Sequence, residues 1–219
     1  MDTDRLNAPL QLALDMTDLG RAEAVVRRLD GAVARLEVGT PLLLSAGSSA
    51  IESMRAAAPR AALIADTKIC DAGGRIAWTA FDAGADIVTV VAAAIDDPTW
   101  DGVVAAAAGG GRGILIDAIG WSPDAAVLRA WCARAIAADV RAEVCVHRPK
   151  NDPGPFPELI ADVRLDGLDV AYSVAGKMTA DAVPAAMAAG FSTVIVGGAV
   201  ADADDPRIEW DRFLRAAGA

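Results

Sequence analysis

In the string LIADTKICDAGG (residues 63–74) an apolar run ends in Asp66, Lys68 and Asp71, two carboxylates around one ammonium. Nearby carboxylates raise the pKa of an ammonium, so Lys68 is expected to stay protonated. Side chains alternate along a strand, so Asp66 and Lys68 are expected to point one way and Thr67 the other. Taken alone, the string fits a structural ion pair as well as a reactive one. Glu37 sits near the end of another apolar run, ARLEVG (34–39). On neighbouring strands, ~5 Å apart, Glu37 and Asp66 would reach one ion. Two carboxylates completed by water and ligand oxygens suit Mg2+, which keeps much of its hydration. Zinc fits less well, because the chain has one histidine and no cysteine cluster. The plainer alternative pairs Glu37 with Lys68.

His147 follows EVCV directly. It reads either as a packed core histidine or as a general acid/base. In the second case Asp117, at the end of the run GILID, would orient it, balance its charge or bind a substrate hydroxyl. Gly176 ends one further run and Gly197 and Gly198 another, and Lys177 adds a positive charge there. Backbone N–H groups at such a strand-to-helix turn suit a phosphate, with plain turn glycines as the alternative. Asp15 closes the first run, LQLALD. Lys68, Lys150 and Lys177 are the only lysines among 20 basic residues, and each lies at or just beyond the end of an apolar run. A composition biased toward arginine accounts for Lys150 more readily than for Lys68.

The elements that must position these residues repeat. Short apolar, β-branched runs fall at 10–15, 34–39, 62–68, 86–92, 113–120, 142–147, 169–176 and 192–198. Alanine-rich helical segments such as LGRAEAVVRRL, AWTAFDAGA, AAVLRAWCARAIAA and ADAVPAAMAAG lie between them. The polar strand ends recur every 22 to 30 residues, the length of a strand, a helix and two short loops. Nearly continuous apolar strands imply burial on both faces and hence a parallel sheet. Eight such units predict one domain over residues 1–219, a closed (β/α)8 barrel of the TIM type. Chemistry then collects at the carboxyl ends of the strands. An open doubly wound sheet is the alternative, but no G-x-G-x-x-G follows the first strand. The segment RPKNDPGPFPEL after His147 is too rich in proline to begin as helix, and is expected to form a stiff flap over the site.

Composition narrows the partners. A formal charge of −10 argues against a nucleic-acid or anionic-membrane surface. An anionic ligand therefore needs its positive charge supplied locally. No apolar run approaches the roughly 18–20 residues of a membrane span. The acidic start MDTDRLNAPL has no apolar signal core, so a cytoplasmic protein is expected. Cys70, Cys132 and Cys145 are expected to be reduced thiols in or near the core.

Together, LQLALD, LEVGTPLL, IADTKICDAGG, AGADIVTVVAAA, IDAIG, CVH and VIVGGAV resemble, in order, the orotidine monophosphate decarboxylase superfamily. The resemblance covers roughly residues 10–200 and is nearest to its 3-hexulose-6-phosphate synthase and 3-keto-L-gulonate-6-phosphate decarboxylase group. It implies a Mg2+-dependent lyase working through a 1,2-enediolate of a sugar phosphate. Glu37 and Asp66 would ligate Mg2+. Lys68 and Asp15 would contact substrate oxygens. His147 would act at the reacting carbon. Gly176, Gly197 and Gly198 would cradle the phosphate. Asp71 would reach across a homodimer interface into the partner's site. A synthase adds the enediolate carbon to formaldehyde, using ribulose 5-phosphate; a decarboxylase makes the enediolate by losing CO2 and then protonates it.

The two activities remain open at this level. Asp117 and Ala175 resemble the synthases, where decarboxylases tend to carry Glu and Thr. Lys150, three after His147, leans toward the decarboxylases, which usually carry Arg there. Two features depart from the family: Gly176–Lys177 replaces its usual Gly-Gly, and the proline-rich flap replaces a loop of small residues. A specialised relative using another sugar phosphate, or a barrel that binds a phosphorylated ligand without turnover, are the further readings.

Overall fold

The computed structural model describes residues 3–120, 124–148 and 154–219. Its strands are β1 (Leu10–Leu14), β2 (Arg35–Val38), β3 (Ala62–Ile69), β4 (Ile87–Val91), β5 (Gly113–Asp117), β6 (Arg141–His147), β7 (Val170–Ala175) and β8 (Thr193–Val196). They form one closed, all-parallel barrel in chain order, and β8 pairs back onto β1 through Leu10↔Val194 and Leu12↔Val196. The expected (β/α)8 barrel is therefore present, and the open sheet is not.

The helices are α1 (Thr3–Leu6), α2 (Leu19–Arg28), α3 (Thr40–Ala46), α4 (Ser48–Ala57), α5 (Gly73–Asp82), α6 (Asp97–Ala107), α7 (Ala125–Ala137), α8 (Phe156–Ala161), α9 (Val183–Ala189), α10 (Gly198–Ala201) and α11 (Pro206–Ala217). Side-chain carboxylates start several of them: Asp18, Asp96, Asp124 and Asp205 accept from backbone N–H groups of the first turn. None of the described helices is long and apolar enough to cross a membrane.

Alternation along each strand divides the core in two. Leu12, Leu36, Leu63, Val88, Ile114, Val144, Val174 and Val194 face outward and are buried under the helices. Ala13, Ile64, Ile87, Leu115, Cys145, Ala175 and Ile195 face inward and fill the lumen. Fully burying one such Val or Leu stabilises by about 1.5–3 kcal/mol, so both layers hold the strand ends rigidly. Most strands end before their apolar runs do. Asp15, Gly176 and Gly197 thus stand just beyond the strands and Gly198 opens α10, while Asp66, Asp117 and His147 are held by the strands themselves.

Candidate functional site

A cavity of about 610 Å3 opens at the carboxyl ends of the strands, a size that suits a small ligand. Asp15, Glu37, Asp66, Lys68, Asp117, His147, Gly176, Lys177, Gly197 and Gly198 all line it. The structure therefore brings together ten of the twelve residues singled out from the sequence. Asp71 is exposed on the loop before α5 and does not line the cavity. Lys150 lies outside the described residues, with the rest of 149–153 in the proline-rich flap segment.

Lys68 is the hub. Its Nζ donates to Asp66 Oδ1 at 3.1 Å and to Asp117 Oδ2 at 2.9 Å. The two carboxylates outweigh the cost of partial burial and push the ammonium further up from its ordinary pKa, so it is a fixed positive charge. Simple alternation does not put it there. The pairing of β3 with β4 slips between Ala65 and Ile69, and Lys68 has φ +42°, the left-handed region that non-glycine residues avoid. The Lys68 N–H donates to Thr89 Oγ1 at 2.9 Å, and Thr67 Oγ1 donates to the Thr89 carbonyl at 2.9 Å. These bonds hold a bulge that aims the lysine across the mouth, and strain of this kind gathers where side chains must be aimed.

Asp66 is held from three sides. Thr40 Oγ1 donates to its Oδ2 at 2.7 Å, and Thr89 Oγ1 to its Oδ1 at 2.9 Å, beside the Lys68 bond. Glu37, buried on β2, accepts one hydrogen bond from the described residues, from Gln11 Nε2 at 2.6 Å to its Oε2. Burial first, and then the charge of Asp66, push the Glu37 carboxyl up to about 8. Asp15 at the rim is also pushed up, by lost hydration and then by Asp66. Asp15 is wedged between turns: a Cβ on Gly39 would lie 2.3 Å from its Oδ1, so only glycine allows this approach.

His147 and Asp117 form a second unit. His147 Nε2 lies 3.1 Å from Asp117 Oδ1, which also accepts the Ile119 N–H at 2.9 Å. An ionised carboxylate only accepts, so Nε2 carries a proton, and in the neutral tautomer Nδ1 is then the ring's acceptor. Burial works against the Asp117 charge, but His147 and Lys68 prevail and hold its carboxyl below the ordinary range.

Beside His147, just past the end of β7, Gly176 has φ +102°, and a Cβ there would lie 2.8 Å from the Arg148 carbonyl. Lys177 is exposed and again left-handed, with φ +47°. The helix after Gly197 is a single turn, α10, so backbone N–H groups rather than a long helix dipole are what this wall offers an anion. Arg148 stacks on Phe156, 4.8 Å from guanidinium carbon to ring centre, joining the described ends of the flap segment.

Sequence reasoning missed Thr40, Thr89 and Gln11 as partners of the carboxylates. Each is a polar residue in or beside an apolar run, and inward parity was the available signal for Gln11 and Thr89. Of the thiols, Cys132 and Cys145 are buried as expected, and Cys145 lines the cavity floor. Cys70 is exposed, in the loop that follows the end of β3 at Ile69.

The donor set at the acidic wall is all oxygen. Among the described residues no three His, Cys, Asp or Glu side chains form a closed metal cage. Hard oxygens on one open side fit a magnesium ion that keeps water and takes substrate oxygens. They do not fit structural zinc.

A closed parallel barrel with cation, carboxylates and histidine gathered at one mouth defines a (β/α)8 barrel built around a small-ligand site. The chain belongs to the orotidine 5'-phosphate decarboxylase / HUMPS family, whose model matches residues 8–213. It is 35% identical over 207 residues to the 3-hexulose-6-phosphate synthase of Mycobacterium gastri, covering 90% of this chain and 93% of that one. A solved 3-hexulose-6-phosphate synthase superposes with a TM-score of 0.80 at 31% identity, over 95% of this chain and 99% of that one. A shorter stretch of 85 residues is 41% identical to a 3-keto-L-gulonate-6-phosphate decarboxylase of Escherichia coli (strain K12), 39% of each chain.

Proposed function

We propose that this chain is a magnesium-dependent 3-hexulose-6-phosphate synthase, a lyase joining formaldehyde to ribulose 5-phosphate. The observation that carries the reading is the Lys68 ammonium, fixed between Asp66 and Asp117 beside a histidine whose Nε2 is held by Asp117. Full-length similarity to synthases supports the choice of reaction.

In this reading Gly176, Gly197, Gly198 and Lys177 bind the phosphate, and Asp15 accepts from a sugar hydroxyl. His147 removes a proton from C1 of the ketose through Nδ1. The bonding pair moves into C1–C2 and the carbonyl electrons onto O2, where Lys68 faces the developing negative charge. C1 then attacks the carbonyl carbon of formaldehyde, whose oxygen takes up the proton. Asp117 keeps the imidazole in the required tautomer throughout. Glu37 and Asp66 would hold magnesium, which supplies positive charge against the two neighbouring sugar oxygens. Asp66 already accepts from Thr40, Thr89 and Lys68, so its share in that coordination falls to remaining lone pairs or to water.

A homodimer is part of the proposal. An apolar groove of about 340 Å3 runs between α3 and α5, lined by Leu43, Leu44, Ile51 and Ile76. Leu44 is 83% exposed and Trp78, on α5, 54%. Thr40 and Asp66 line both this groove and the cavity, so a second copy seated there would abut the site, with Asp71 nearby to enter it. A cytoplasmic location follows from this substrate class.

The decarboxylase is the second reading, favoured by the 85-residue match. Formaldehyde consumption with ribulose 5-phosphate, measured beside CO2 release from 3-keto-L-gulonate 6-phosphate, separates them. The first is expected to dominate; CO2 release alone would reverse the assignment. Neither reaction, with sugar phosphates still raising the melting temperature, would leave a binding protein.

A further inference from the structure

Beneath the mouth the lumen holds a polar column. Glu143 on β6, Arg35 on β2 and Gln11 on β1 are each at most 1% exposed. Arg35 Nη2 donates to both Glu143 oxygens, at 3.0 and 2.9 Å. Its Nε and Nη2 donate to Gln11 Oε1 at 3.0 and 2.8 Å, and its Nη1 donates to the Leu6 carbonyl. Gln11 Nε2 then donates to Glu37 Oε2 at 2.6 Å. In the strand register Gln11 pairs with Arg35 and Ala13 with Glu37, so the column climbs one inward step per layer.

Chemistry fixes the direction of every bond. A guanidinium only donates, so Gln11 must turn its oxygen to Arg35 and its NH2 to Glu37. A flipped amide would set donors against donors below and oxygen against oxygen above, among side chains buried from solvent. The charge of Arg35 is met by Glu143, so the column adds no net charge to the mouth. What it does is claim one oxygen of Glu37 and leave Oε1, which accepts from none of the described residues.

We infer that Arg35, acting through Gln11, is a positioning device for Glu37: it commits Oε2 to the lumen and turns Oε1 over to the cation. This rests on the magnesium reading above, and it assigns a task to three residues that touch neither substrate nor metal. A guanidinium is suited to it because its planar donors pin the amide at two points, which a lysine cannot do.

The test uses the whole chain, stripped of metal, with Mn2+ as the probe and free Mn2+ read by electron paramagnetic resonance. Thermal melting is recorded for every variant. The parent is expected to bind Mn2+ and Glu37→Gln to lose it. Gln11→Leu should weaken Mn2+ by about tenfold or more, the scale on which partners of metal ligands act. Arg35→Met/Glu143→Met replaces the buried pair by apolar groups and should melt no lower than the parent. It should nevertheless weaken Mn2+ several-fold, because the amide is free to turn. A merely structural column would not lower metal affinity in a variant of undiminished stability. Both variants binding Mn2+ within about twofold of the parent would overturn the inference while leaving the magnesium reading intact. A parent that does not bind Mn2+, or a Glu37→Gln that binds it equally well, would overturn the magnesium reading and this inference with it. If one of the two variants fails to fold, the other decides.

Discussion

At the floor of the lumen Arg35 is met by Glu143 and Gln11 and sealed from water. At the mouth Asp66 and Asp117 share the Lys68 ammonium, Asp117 also meets His147, and Asp15, Glu37 and Lys177 line the same cavity. Gln11, Arg35 and Glu143 lie one or two inward positions below Asp15, Glu37 and His147, which stand on or just beyond β1, β2 and β6. The floor is balanced, and a balanced buried pair contributes shape more than energy, because desolvation offsets most of the attraction. The acidic wall of the mouth carries more negative than positive charge, so burial and repulsion drive Glu37 upward instead of being cancelled. A surplus of like charge in a cavity is costly to fold and persists where a ligand relieves it.

This contrast can be broken from either end. Arg35→Met alone leaves Glu143 buried with only Arg141, 3.9 Å away, as a charge partner, and should cost about 3–5 kcal/mol in denaturant unfolding. A loss under about 1 kcal/mol would mean that water reaches the floor. At the mouth, Lys68→Ala should lower kcat by roughly 10²–10³, the scale for a lost oxyanion partner, in a chain that still folds. Full activity in that variant would remove the hub from the mechanism. His147→Gln should cost about a hundredfold in kcat with little change in KM; an unchanged kcat would return His147 to the role of a packed side chain.

Lys177→Gly sharpens the comparison on the phosphate wall. It relieves a left-handed lysine, so stability should hold within about 1 kcal/mol. KM for the sugar phosphate should rise about tenfold, and an unchanged KM would show that Lys177 serves no phosphate. The smallest effect concerns pH. A Glu37 carboxyl at about 8 in the fold, against 4.5 unfolded, means that the folded state holds an extra proton between those values. Metal-free stability should therefore fall as pH rises from about 5 to about 8. Under the proposed reading magnesium would replace that proton and should raise the melting temperature more at pH 8 than at pH 6. Equal shifts at both would contradict the assignment of Glu37.

Much of this was legible because apolar runs of even spacing admit few arrangements. Eight strand-length runs with polar ends imply a barrel whose ends converge, which is why Glu37, Asp66, Asp117 and His147 could be grouped before any coordinates. The bulge at Lys68 was not legible. It depends on Thr89 of the next strand reaching the Lys68 N–H, a contact that no local pattern in residues 63–74 encodes. Gln11, Arg35 and Glu143 were visible as polar residues inside apolar runs, and inward parity would have put them in the lumen, but their mutual pairing depends on which strands face each other across it. Asp71 stays apart from the cavity within one copy of the chain, and the role proposed for it would need a second copy.

The most direct test follows the C1 hydrogens of ribulose 5-phosphate by proton NMR in D2O, with Mg2+ and without formaldehyde. We expect one C1 signal to disappear through exchange, and the exchange to stop with EDTA and in Lys68→Ala. Persistence of both C1 signals while the sugar phosphate is bound with Mg2+ present would contradict enediolate chemistry at this mouth.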